Sequence, residues 1–81
     1  MVILIVFSDT TTRLLVRNQI KDIPGLAAIL ESNSAEDALF QIVDKKPHIV
    51  IASDLLSGRS GFELANLVYE NEFMVPFIIL S

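Results

Sequence analysis

Three short polar stretches each close an apolar run. Ser8-Asp9-Thr10 follows residues 1–7, Ser53-Asp54 follows residues 48–52, and Ser81 follows Phe77-Ile78-Ile79-Leu80. Carboxylates and hydroxyls gathered from such places suit the holding of a hard divalent cation or the acceptance of a transferred group. Asp9, Asp54 and Glu36 are the carboxylates on which such a site would draw. Other chemistries lack their parts. The chain has no cysteine and a single histidine, His48, which excludes disulfides, thiolate metal sites, a histidine-rich zinc site and a cysteine–histidine pair. A serine hydroxyl is a weak nucleophile near neutral pH unless a base activates it, and no base stands out near Ser8 or Ser53.

Composition narrows the classes further. Ten acidic side chains against six basic ones leave a net charge of −4, with no basic block to neutralise a phosphate backbone, so nucleic-acid binding by this chain alone is not expected. Hydrophobic residues make up 52% of the chain, yet the longest apolar run is residues 1–7, far short of the roughly 20 that span a bilayer. That run has no basic segment before it, so it does not read as a signal peptide, and the expected compartment is the cytoplasm. The 81 residues allow a single domain, residues 1–81. A chain of this size buries only about 60–65% of its unfolded surface. So high an apolar content suggests that part of it is meant for another surface.

The elements that would position the polar stretches follow from periodicity. Val2-Ile3-Leu4-Ile5-Val6-Phe7 is a continuous β-branched and apolar run, the pattern of a strand buried on both faces of a parallel sheet. Ser8-Asp9-Thr10 supplies helix N-cap oxygens, and Val16, Ile20 and Ile23 form the apolar stripe of a first helix that Pro24-Gly25 stops. Residues 26–30 read as a second strand. Ser34-Ala35-Glu36-Asp37 opens a second helix with capping-box chemistry. Its stripe is Ala35, Ala38, Leu39, Ile42 and Val43, and Lys45-Lys46 and Pro47 close it. Residues 48–52 make a third strand, residues 53–60 a polar loop holding Gly58, and Gly61, Leu64, Ala65 and Val68 a third helical stripe. Pro76 opens a last strand, Phe77-Ile78-Ile79-Leu80. The order βαβαβαβ implies right-handed crossovers, a parallel sheet covered on both faces, and any chemistry at the carboxyl ends of the strands.

At these residues the sequence resembles the receiver domain of bacterial two-component response regulators. Ile3-Leu4-Ile5-Val6 with Arg13 resembles the family's first strand and helix, and Ser32-Asn33-Ser34-Ala35-Glu36-Asp37-Ala38-Leu39 the approach to its second helix. Pro47-His48-Ile49-Val50-Ile51, Gly58 and Gly61-Phe62-Glu63-Leu64 resemble the third strand, its loop and the third helix. Val75-Pro76-Phe77-Ile78-Ile79-Leu80-Ser81 resembles the fourth strand, ending in the family's switch hydroxyl at Ser81. The resemblance implies a flavodoxin-like α/β sheet of strand order 2-1-3-4, truncated before the family's fifth strand with its phosphate-binding lysine. An active receiver would carry two acids after the first strand to hold Mg²⁺ and an aspartate phosphoacceptor ending the third. Counting back from Arg13 puts Phe7 and Ser8 at the acidic pair, and counting back from Gly61 puts Ser53 at the acceptor. All three carboxylates are absent, and the Phe7 ring is expected where the ion would sit.

The resemblance therefore implies a pseudo-receiver, a non-enzymatic interaction module without a cofactor. In the rival reading a one-residue shift brings Asp9 and Asp54 into the pocket, with Asp54 accepting phosphate from a histidine kinase in a phosphorelay and Mg²⁺ held by Asp9 and Asp54. A third reading makes the chain the N-terminal part of a longer regulator with an output domain. The remaining polar features read as scaffold. His48 is a solvated residue at the start of a strand, Thr10-Thr11-Thr12 a helix start, and Lys45-Lys46 a solvated helix end. Tyr69 is expected to cover the sheet. With strand order 2-1-3-4 the edge Phe77, Ile78, Ile79 and Leu80 has no outer neighbour, and such an uncharged apolar strand predicts association. A homodimer is the first expectation and a protein partner covering that edge the second. Ile3, Ile5, Ile49 and Ile51 are expected among the most buried residues.

Overall fold

The computed structural model describes residues 1–57 and 59–81; Gly58, read above as a loop glycine, lies outside the described residues. In chain order the elements are β1 (Val2–Val6), α1 (Thr10–Ile20), β2 (Ala28–Ser32), α2 (Ala35–Lys45), β3 (Ile49–Ser53), β4 (Leu55–Leu56), β5 (Arg59–Ser60), α3 (Gly61–Glu70) and β6 (Phe77–Leu80). The main sheet runs β2-β1-β3-β6 with every pair parallel, so the expected order 2-1-3-4 holds with β6 as its fourth strand.

Alternation along the buried strands sorts the core into two clusters. Ile3, Ile5, Phe7 and Ile51 lie beneath α1, joined by Val16 and Ile20. Leu4, Val6, Val50 and Ala52 lie on the opposite face beneath α2 and α3, with Ala38, Ile42, Leu64 and Val68. All three helices begin with the same device. A side-chain oxygen at the N-cap accepts the amide three residues on: Asp9 from Thr12, Ser34 from Asp37 and Ser60 from Glu63. This pins each strand-to-helix corner and so fixes what faces the carboxyl edge of the sheet.

Several boundaries differ from expectation for identifiable reasons. The second strand begins at Ala28, because residues 23–27 form turns with Leu26 N–H donating to Ile23 O and Ala27 N–H to Met1 O. Ile23 accordingly lies beyond α1, and Val43 faces solvent from α2. The loop after β3 folds into the antiparallel β4–β5 pair, Leu55 opposite Ser60 and Leu56 opposite Arg59. Leu56 is buried there, which a reading of the segment as polar overlooks. Ile49 is only half-buried. The β3–β6 register starts at Val50 opposite Phe77, so Ile49 has β1 beside it on one side only. Tyr69 does not cover the sheet but stands 74% exposed, since Val68 takes the core-facing position and the next residue turns about 100° away. His48 is exposed, yet it is not merely solvated: its Nδ1 accepts the Val2 amide at 2.9 Å and its own amide donates to Val2 O at 2.8 Å.

Candidate functional site

The carboxyl ends of β1, β3 and β6 meet at one edge of the sheet, where the sequence places Phe7, Ser8, Asp9, Ser53, Asp54 and Ser81. Phe7 continues the β1 ladder, donating its amide to Ser32 O at 3.1 Å, and so keeps the strand's alternation. Its ring joins Ile3 and Ile5 in the cluster under α1 and is 4% exposed. The pleat turns this ring into the hydrophobic core.

The polar side chains next to it are engaged with backbone. Ser8 Oγ accepts the Ser57 amide at 3.2 Å, tying the end of β1 to the loop that carries β4. Ser53 Oγ accepts the Leu55 amide at 3.2 Å, a local turn that aims the chain into β4. Asp9 Oδ2 takes both the amide of Thr12 at 2.9 Å and its hydroxyl at 2.6 Å. The Thr12 hydroxyl and amide, helped by the Arg13 charge, hold the Asp9 carboxyl below its ordinary value. Asp54 is anchored through its backbone, its amide donating to Leu80 O at 2.9 Å and its carbonyl accepting from Gly61 at 3.0 Å. Ser81 is exposed at the end of β6. Glu36 pairs with Arg59 at 3.4 Å, and Arg59 also reaches Glu63 at 3.8 Å. Among the described residues no group of three or more histidine, aspartate or glutamate side chains converges as a metal-binding set.

Two clusters escaped the sequence reading. Arg13 Nη1 donates to Phe7 O at 2.7 Å while its Nε pairs with Glu31 at 3.0 Å, and Arg17 pairs with the other Glu31 oxygen at 2.7 Å. A guanidinium thus stands against the first carbonyl beyond β1. The signal was present in arginines at i and i+4 on α1 and a lone acid in an apolar strand. Below it, buried Ser32 donates to Asp37 Oδ2 at 2.6 Å, and Gln41 Nε2 approaches Ser32 Oγ, Glu31 O and Asp37 Oδ2 at 2.7, 2.8 and 3.0 Å. Two amide hydrogens serve three acceptors, so one bond is shared. This network locks the start of α2 onto the end of β2.

Gly61 completes the frame. A Cβ there would lie 2.2 Å from Ser53 O, so only glycine lets the first turn of α3 rest on the end of β3. That contact is the physical content of the Gly61-Phe62-Glu63-Leu64 motif.

Sheet order, helix placement and this edge together define the fold as that of a response-regulator receiver domain. Neither a protein-family model nor a curated protein matches the sequence. Solved structures do. The signal receiver domain of a putative Luxo repressor protein from Vibrio parahaemolyticus is similar at 26% identity and a TM-score of 0.87, covering 96% of this chain and 58% of that one. A LuxR-family two-component response regulator from Aurantimonas sp. SI85-9A1 matches at 24% identity and a TM-score of 0.89, over 96% of this chain and 56% of its own. The MaeR response regulator bound to beryllium trifluoride shows 21% identity and a TM-score of 0.91, over 99% and 66% respectively. The chain thus spans less than two thirds of the first two solved chains. No helix among the described residues is long and apolar enough to cross a membrane.

Proposed function

We propose that this chain is a pseudo-receiver: a two-component signalling module that acts by binding protein and does not take up an aspartyl phosphoryl group or Mg²⁺. The observation that carries this reading is the use already made of the Phe7, Ser8, Asp9 and Ser53 side chains at the carboxyl edge. The acidic-pair positions hold Phe7, whose ring lies in the core, and Ser8, whose hydroxyl ties down the loop. The acceptor position holds Ser53, turned to the Leu55 amide, and Asp9, one of the two shifted acids, caps α1. With no carboxylate pair there, cation binding has neither the ligands nor the field it needs.

The test is incubation with acetyl phosphate and Mg²⁺ followed by intact-mass measurement. The expected result is an unchanged mass. Gain of one phosphoryl group, mapped to Asp54 and lost in Asp54→Asn, would overturn the reading and make the chain a phosphoryl-accepting receiver. The same reading makes the chain a binding module rather than an enzyme, its signalling partners being a protein that covers β6 or a second copy.

A further inference from the structure

We propose that His48 is a pH-sensitive clamp on the start of β1, closed while its ring is neutral and released when the ring takes up a proton.

The clamp consists of two bonds to one residue. Val2 N–H donates to His48 Nδ1 at 2.9 Å, and the His48 amide donates to Val2 O at 2.8 Å. The second bond joins backbone to backbone and is indifferent to pH. The first is not. A neutral imidazole has one ring nitrogen that donates and one that accepts, whereas in the imidazolium both donate. A backbone amide can only donate, so the contact at Nδ1 requires the neutral ring with its hydrogen on Nε2. Protonation sets two N–H groups against each other at 2.9 Å, and the ring has to swing away. Histidine makes that change within about pH 5–8, and the chain has no other histidine.

The position of the bond extends its effect. β1 lies inside the sheet, between β2 and β3. Beside the Val2–His48 pair, Met1 O accepts the Ala27 amide at 2.7 Å, which fixes the turn leading into β2. Releasing Val2 N–H therefore loosens the entrance of β1 together with the approach to β2. The far end of β1 has its own tie, Phe7 N–H to Ser32 O at 3.1 Å, and is held independently. Ring and amide are both open to solvent, so the release is local: water takes over Val2 N–H while the sheet stays paired.

The surroundings do not offset the lost bond. The charged groups on the segments that meet here are the Met1 ammonium, Lys45 and Lys46 at the end of α2, Lys21 and Asp22 after α1, and Glu72 before β6. Among the described residues no carboxylate lies within ion-pair distance of the ring, so none rewards the imidazolium for keeping its place.

Nuclear magnetic resonance of the ¹⁵N-labelled chain between about pH 8 and about pH 5, the range in which histidine changes charge, tests the inference. At the upper end the ring is expected as the Nε2–H tautomer. As it protonates, the Val2 and Ala27 amide resonances are expected to follow the same titration curve while that of Phe7 stays still. His48→Asn carries an acceptor oxygen near the Nδ1 position without titrating, and is expected to abolish the movement. His48→Ala removes the acceptor. It is expected to speed solvent exchange of the Val2 amide about threefold or more at the upper end, the size of one modest hydrogen bond, and to leave it unchanged at the lower end, where the parent's clamp is already open. An Nδ1–H tautomer in the neutral ring, a Val2 resonance that ignores the titration, a response that persists in His48→Asn, or equal exchange in the parent and His48→Ala at the upper end would each overturn the inference. None of these results touches the phosphorylation measurement, so the clamp and the pseudo-receiver reading fail separately.

Discussion

Replacing Gly61 by alanine probes the contact that seats α3 on the sheet. The backbone at Gly61 is not in the left-handed region, so alanine meets no torsional penalty and its whole cost is steric. The added Cβ would stand 2.2 Å from Ser53 O, 3.1 Å from Ser53 C and 3.3 Å from Ile79 Cδ1. A relaxed non-bonded carbon contact is about 3.5 Å, so helix and strand must part by roughly 1 Å. The obstructing atom is a carbonyl oxygen of β3, held by the pairing of Ser53 with Leu80, and cannot rotate aside. The helix has to move instead. That lifts Leu64 and Val68 from the cluster with Leu4, Val6 and Val50, and stretches the 3.0 Å bond from Gly61 N–H to Asp54 O. Overpacking of this kind costs about 1–3 kcal/mol, and a weakened hydrogen bond about 1 kcal/mol. Alanine's better helix propensity returns up to about 1 kcal/mol. The net loss is about 1–3 kcal/mol, which lowers the thermal midpoint of a domain this small by roughly 5–20 °C.

Thermal unfolding followed by circular dichroism reads this directly, and Gly25→Ala is the matched control. Gly25 has φ +82° with nothing within 4 Å of an added Cβ, so alanine there pays backbone strain alone, about 1–2 kcal/mol. An unchanged or raised midpoint for Gly61→Ala would show that α3 does not rest on Ser53 as described, and the reading of the Gly61-Phe62-Glu63-Leu64 motif would fall with it.

Two further outcomes follow from the scaffold. The Asp9 carboxyl titrates below the ordinary aspartate value when folded, because Thr12 donates to it. Its capping contribution is complete above the unfolded pKa and is lost as pH falls through the lowered folded one. Asp9→Ala should therefore flatten the acid limb of stability against pH, and an acid limb identical to that of the parent would refute the assignment. Ile51→Ala removes a side chain that is 9% exposed between β1 and β6 and should cost about 2–5 kcal/mol in denaturant unfolding. A shift below about 0.5 kcal/mol, the range of surface substitutions, would place Ile51 outside the core.

The parts of the fold that rest on short-range pattern were legible in the sequence. The run Val2 to Phe7, the stripe Ala35, Ala38 and Ile42, and the capping positions Ser34 and Asp9 each state their element locally, and the handedness of crossovers with the family resemblance supplies the order β2-β1-β3-β6. What escaped depends on contacts between distant residues. The β4–β5 pair is anchored where Leu56 joins the cluster of Leu4 and Leu64, which no window around residue 56 reveals. Ile49 has the composition of a core strand but lacks a neighbour on one side, a fact of register and not of sequence. Arg13 looks like an ordinary wet-face residue until Glu31 and Phe7 O are brought beside it by the parallel pairing of β1 and β2.

The same distinction explains how a receiver fold can stand without the carboxylates that the resemblance leads one to expect. Clustered carboxylates repel one another and are tolerable only beside a cation or other compensating charge, so they are a demand on the scaffold and not a support for it. The supports lie elsewhere: Gly61 against Ser53, the three N-caps, the Ser32–Asp37–Gln41 network and the two apolar clusters. None of these needs an acid at Phe7, Ser8 or Ser53. Serines at two of those positions satisfy loop amides that carboxylates would otherwise have to share with an ion, and phenylalanine at the third adds a buried ring to the α1 cluster. Replacing an acid by such groups exchanges electrostatic strain for packing and hydrogen bonds. At this edge the Ser8 and Ser53 hydroxyls and the Asp9 carboxylate hold the chain's own loops and the start of α1.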